Sequence, residues 1–167
     1  MTEYRADADL KERALPPREP DMLLAQPEFI MQPSDDKFGL PEGIDYFKYW
    51  KTDIGKLSGG RIGATVIRAT PAAADHHGSP WHYHKWDLSM SVVLNGTAEF
   101  EFEGIGVVKF VRGTVIYQLP MNRHREIYIS PDFEAIEINL PATVDTHIML
   151  PNDATGGWDE AVVTFKD

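Results

Sequence analysis

The stretch "PWHYHKWDLSMSVVLNG", Pro80–Gly96, sets two histidines two residues apart among aromatics, ahead of a run of apolar and small residues. In an extended chain the side chains at i and i+2 leave one face of the strand, roughly 6–7 Å apart at the root. His82 and His84 can therefore converge on one ion through neutral imidazole nitrogens. The spacing alone does not decide this, because such a pair also serves as ordinary pocket or surface residues. A third donor from elsewhere in the chain is required. Asn95-Gly96 closes the stretch as a hairpin signal, both residues tolerating the positive φ of a type I′ turn.

The surrounding chain has one texture. "IDYFKYW", "RIGATVIRAT", "LSMSVVL", "TAEFEFEG", "VVKFVRG", "TVIYQL", "EIYIS" and "FEAIEINL" are short runs rich in Val, Ile, Tyr, Phe and Thr, broken mostly by Gly, Pro, Asn or Asp. Phe100 and Phe102 alternate with Glu99, Glu101 and Glu103; Ile136, Ile138 and Leu140 alternate with Glu137 and Asn139. That period of two assigns the apolar set to a core and the polar set to water. About eight such strands with hardly a helical period predict an all-β fold, a single-domain antiparallel jelly-roll β-barrel. Residues 44–145 form this barrel. Residues 1–43 are an N-terminal arm rich in proline and charge, whose Met22, Leu23, Leu24, Phe29 and Ile30 are apolar enough to pack on the barrel or on a partner subunit. Residues 146–167 form an extension with an added strand near "AVVTF".

Composition excludes several classes. The 167 residues suffice for one domain with a real core, and 43% hydrophobic content is globular. Sixteen basic against 26 acidic residues give a net charge of −10, which repels phosphate backbones and argues against nucleic-acid partners. The absence of cysteine removes disulfides, thiolate nucleophiles and Cys-based metal sites. The N-terminus lacks the apolar stretch of a signal peptide, and no run approaches the roughly 20 apolar residues of a membrane helix, so a soluble cytoplasmic protein is expected.

The third donor is found in "GTVIYQLPMNRH", where His124 follows Gly113 by eleven residues. Together, "HYHKWDLSMSVVLNG" and this segment resemble the two motifs of the cupin superfamily, over roughly residues 62–142. The first motif keeps His-x-His and the closing Gly96, though Gly78 lies nearer the pair than the pattern asks; the second keeps the glycine-to-histidine interval, with Pro120 one position late and Asn122 read as the stand-in for a glycine at positive φ. The resemblance implies a jelly roll with one divalent metal at its centre, held by His82, His84 and His124, and often a homodimer. Fe(II) is favoured among Fe, Mn, Ni and Zn.

The family's motif glutamate falls at Leu88 or Ser89, neither a carboxylate, and Asp87 has the wrong strand parity and reads as a solvated rim residue. Three neutral imidazoles leave the ion its full +2 charge and three octahedral positions open. That favours small anionic, chelating substrates. Cysteine dioxygenase and the acetylacetone-cleaving dioxygenase are cupins with such a triad. The resemblance therefore implies a non-haem Fe(II)-type dioxygenase acting on a small anionic or aromatic metabolite. The alternatives are a redox-neutral isomerase, decarboxylase or lyase, and a barrel that binds a ligand without turnover.

Parity from His124 puts Glu126 and Tyr128 on its face, as candidate catalytic residues. Gln118, Tyr128 and Met90 are candidate substrate contacts, with Val92 and Leu94 joining Met90 in an apolar wall. His76 and His77 read as a lid or surface loop, His147 as a surface residue without a partner, and "LSGGRIG" as a turn between strands rather than a phosphate loop.

Overall fold

The computed structural model describes residues 38–40, 44–75 and 78–164; the rest of the arm, and His76 and His77, lie outside these. Among the described residues the chain makes eleven strands: β1 Phe47–Lys51, β2 Gly63–Ala69, β3 His82–His84, β4 Leu88–Asn95, β5 Thr97–Phe102, β6 Gly106–Val111, β7 Val115–Gln118, β8 His124–Ile129, β9 Glu134–Leu140, β10 Thr146–Asn152 and β11 Gly157–Val163. A one-turn helix, Ile54–Leu57, and a 3₁₀ turn, Pro71–Asp75, are the only helical pieces described. The described residues contain no helix long and apolar enough to cross a membrane.

All strand pairs are antiparallel and fall into two sheets, β1-β2-β9-β4-β7 and β11-β10-β3-β8-β5-β6. Between them lies a core of Phe47, Val93, Ala98, Phe102, Phe110, Ile129, Phe133 and Ala135, contributed by both sheets. Burying rings and branched side chains this way is the main favourable term for such a fold. The expected all-β barrel is what forms.

Three sequence readings change. Asn95-Gly96 does not close a hairpin: β4 belongs to the first sheet and β5 to the second, so the dipeptide is a corner where the chain changes sheets. Gly96 is required there, at φ 69, because a Cβ would meet the backbone of Phe133 at 2.7 Å. The alternation in β9 is real but its sense is reversed. Ala135 packs in the core and Asn139 is 7% exposed, so Glu137 between them also faces inward, while Ile136 and Ile138 share the outer face. The extension contributes two strands to the second sheet rather than one: β10 lies between β11 and β3, antiparallel to both.

A further difference concerns the turn into β8. Met121, not Asn122, takes the left-handed conformation, at φ 60. Its N–H donates to the His84 carbonyl at 2.9 Å, tying the second motif to the first. Counted from Gly113, Met121 holds the position of the motif's glycine. A left-handed backbone costs an L side chain roughly 1–2 kcal/mol, partly offset by the chain entropy glycine gains when unfolded. Met121 is 57% exposed and leaves little packing to lose. Met121→Gly is expected to stabilise the protein by about 1 kcal/mol, read as a higher denaturant midpoint; a lower midpoint would mean the thioether side chain matters more than the backbone.

Candidate metal centre

β3 and β8 lie side by side with His82 opposite His124, and the i+2 rule carries His84 to the same face. The three histidines each offer a nitrogen within 4.8 Å of the other two, and His82 and His124 are buried. Their rings are oriented from behind. His82 Nδ1–H donates to the Pro80 carbonyl at 2.9 Å and His124 Nδ1–H to the Asn122 carbonyl at 3.0 Å. His84 Nδ1 meets the Thr146 hydroxyl at 3.3 Å. Backbone oxygens only accept, so the first two rings carry their proton on Nδ1 and turn an Nε2 lone pair to the centre. Trp86 stacks on His84 with centroids 4.3 Å apart, and Phe102 on His124 at 5.6 Å.

Electrostatics agree with this geometry. Burial, with His82 and His124 nearby, holds His84 well below the usual imidazole range. Burial and then His82 bring His124 down to about 4. Both rings are thus neutral near pH 7, the form that ligates a metal. Three imidazole nitrogens within 4.8 Å of one another, each ring backed by a second contact, suit a first-row divalent ion.

Glu126 lies beside this cluster, 8% exposed, with Oε1 3.8 Å from His82 Nε2. Ser79 holds it in place. The Ser79 hydroxyl donates to Oε2, the Glu126 N–H donates to Ser79 Oγ at 2.9 Å, and the Ser79 N–H donates to the Glu126 carbonyl at 3.0 Å. Burial alone would raise its pKa; His82, His124 and the Ser79 hydroxyl outweigh that and hold it below the ordinary carboxylate value.

The remaining candidates separate by face. Gln118 pairs with Ser89, which is 1% exposed and inward, and so reaches the interior. Tyr128 does not share the face of His124. Between Phe100↔Glu126 and Glu99↔Tyr128 the register slips by one residue, and Ile127 is the extra one. This bulge turns Tyr128 outward, to 44% exposure, and brings Ile129 into the core instead. Met90 is also corrected: paired with Ile138 and Tyr117, it has the parity opposite to Ser89, Ser91 and Val93, so Met90, Val92 and Ile138 lie on the outer face. Asp87 is exposed and outside the cluster. His147 is 6% exposed rather than on the surface; it stacks on Tyr83 at 4.7 Å and its Nδ1 lies 2.7 Å from Glu160.

Sequence reasoning missed Ser79, Trp86, Thr146 and Glu137. Trp86 was within reach of the i+2 rule; Thr146 was not, since it depends on β10 joining β3 with Thr146 opposite His84. Glu137 faces inward opposite Ser91 and Thr65, and burial together with the charge of Glu126 raises its pKa to about 7.

No family profile matches the chain, and no curated protein matches it in sequence. Solved structures do match. The polyketide cyclase RemF from Streptomyces resistomycificus aligns with a TM-score of 0.55 at 15% identity, over 70% of this chain and 81% of that one. A sugar phosphate isomerase of the cupin superfamily from Silicibacter pomeroyi aligns at 0.49 and 16% identity, over 71% and 76%. KdgF from a Halomonas species aligns at 0.47 and 15%, over 62% and 86%. At such identities the likeness speaks for the fold alone, and the RemF alignment carries it. Two antiparallel sheets, with that likeness, give this chain a jelly-roll fold shared with RemF, the fold that its two histidine motifs led one to expect.

Proposed function

We propose that the protein is a metal-dependent enzyme acting on a small anionic metabolite, with His82, His84 and His124 holding one first-row divalent ion. The observation that carries this reading is the convergence of three imidazoles within 4.8 Å, with two Nδ1 protons already committed to backbone carbonyls. A divalent ion there supplies Lewis acidity, and with Fe(II) also a route to dioxygen chemistry. The protein's own groups do the rest. The neutral triad leaves the site positively charged and so favours a chelating anion. Glu126, ionised and fixed by Ser79, is placed to take a proton from a substrate bound beside His82.

The Fe(II) dioxygenase remains the leading reaction within this proposal, since three ligands leave room for a bidentate substrate and oxygen. Glu126 favours the second reading, a redox-neutral isomerase or lyase that moves a proton. Protein purified anaerobically, loaded with Fe(II) and offered a panel of 2-oxo and 2-hydroxy acids in an oxygen electrode separates them. Substrate-dependent oxygen uptake supports the dioxygenase, and turnover without uptake supports the proton-transfer enzyme. Bound metal with neither would leave a ligand-binding barrel and overturn the enzymatic reading. Once a turnover is in hand, Glu126→Gln is expected to lower kcat by about 10²- to 10⁴-fold while metal content is kept, if the carboxylate is the base. An unchanged kcat would remove it from that role.

A further inference from the structure

Part of the inner face of the first sheet, across the barrel from the histidine-bearing sheet, is polar, beside Phe47, Ile67, Val93, Ile116 and Ala135, which pack the rest of that face into the core. Register makes the patch contiguous. Ser89 sits between Gln118 and Asn139, and Ser91 beside Glu137, which pairs on its other side with Thr65. These share the inward parity of Val93 and Ala135, which pack in the core just beyond them. The core that Val93 and Ala135 enter also holds Phe102, which stacks on His124 with centroids 5.6 Å apart, so the patch belongs to the interior that the histidines face.

The wall has hydrogen-bonding capacity that the protein does not use. Ser89 Oγ and Asn139 Oδ1 are buried without a partner, as is Trp86 Nε1 behind His84. The Glu137 carboxyl has no hydrogen bond or ion pair among the described residues. Buried polar atoms in native proteins are almost always paired, so two unpaired ones on one wall, Ser89 Oγ and Asn139 Oδ1, call for a partner from outside the chain. Serine hydroxyls, two amides and a carboxyl that can both donate and accept match alcohol groups, which do the same. A hydrocarbon or aromatic tail would leave every one of these atoms unpaired, which a binding site of this kind penalises strongly.

We propose that this wall reads the hydroxyl groups of a polyhydroxylated carboxylate whose acid end faces the three histidines, with Glu137 as the residue that sets this preference. The inference rests on the metal-site reading above. It narrows the substrate class: an alcohol-rich acid is accepted, and an acid with a bare carbon chain is not.

The test uses the full chain loaded with Co(II), whose visible spectrum reports on what approaches the metal, and two probes with the same chelating head. D-Gluconate and 2-hydroxyhexanoate share six carbons, a carboxylate and an α-hydroxyl; only gluconate has hydroxyls further along. Co(II) content is measured first, in the unaltered protein and in Glu137→Leu. Gluconate is then expected to bind at least about tenfold more tightly than 2-hydroxyhexanoate, the value of roughly one well-made hydrogen bond. Glu137→Leu is expected to bring the two within about twofold while still taking up Co(II). Gln118→Leu, on a different strand, is expected to narrow the ratio without closing it. Equal binding of the two acids with Co(II) in place, as when water alone satisfies the wall, would overturn this inference and leave the metal site standing. So would a ratio untouched by Glu137→Leu. Failure of the unaltered protein to take up Co(II) would overturn the metal-site reading, and this inference with it.

Discussion

His84→Ala is expected to weaken divalent-metal binding by more than about 100-fold, since even the residues that merely orient a metal ligand typically contribute 10- to 100-fold. Asp87→Ala is expected to leave binding unchanged. The two positions are three residues apart, yet one ring lies in the cluster and the other side chain is exposed outside it. His84 is also held from several sides: Trp86 stacks on its ring, the Thr146 hydroxyl meets Nδ1, and the His84 carbonyl receives the Met121 N–H. Removing the imidazole leaves a space lined by these groups, so the variant must be shown to fold. Circular dichroism and the melting midpoint of the metal-free proteins make that control, and His124→Gln, which keeps more volume, provides a second way to remove a ligand. Isothermal titration with Zn(II) gives the affinities. Tight binding by His84→Ala, or its loss in Asp87→Ala, would contradict the ligand set.

The second large effect belongs to Glu137 and has the opposite character, because this residue costs stability. Its folded pKa is raised from 4.5 to about 7 by burial and by Glu126. Between those values the folded protein holds a proton that the unfolded chain has lost. Its contribution is therefore fully present below pH 4.5 and is lost as pH rises through about 7. At pH 8 the lost stability is about 3 kcal/mol, at 1.36 kcal/mol per pH unit. Glu137→Gln cannot ionise. In chelator-treated protein it is expected to be more stable than the unaltered chain by about that amount at pH 8, with the difference closing near pH 5. Denaturant midpoints at the two pH values check this, and a pH-independent difference would show that Glu137 is not held neutral in the fold. A residue that costs stability inside a barrel fits a role in binding better than one in packing.

How much of this was readable in advance differs from residue to residue. His82, His84 and His124 could be read because the i+2 rule is local and the second motif's interval fixes the third ring. Tyr128 could not be placed, since parity fails at a bulge, and nothing in "HREIYIS" marks Ile127 as the extra residue. Glu137 and Met90 failed for another reason: alternation shows that a strand has two unlike faces but does not say which one turns inward. In the first sheet the apolar face of β9 lies outside, and Trp50 and Val66, which are buried, share the parity of that outer face through the pairings Trp50↔Val66 and Val66↔Ile136. Ser79 and Thr146 touch Glu126 and His84 from 47 and 62 residues away, a relation only tertiary pairing creates.

X-ray absorption at the zinc edge of the Zn(II)-loaded protein tests the centre most directly. Three imidazole nitrogens at about 2.0–2.1 Å, with the multiple-scattering signature of histidine rings, are the result expected for His82, His84 and His124 acting together. A shell of oxygen atoms with one imidazole or none would mean that the rings of β3 and β8 meet without holding a metal.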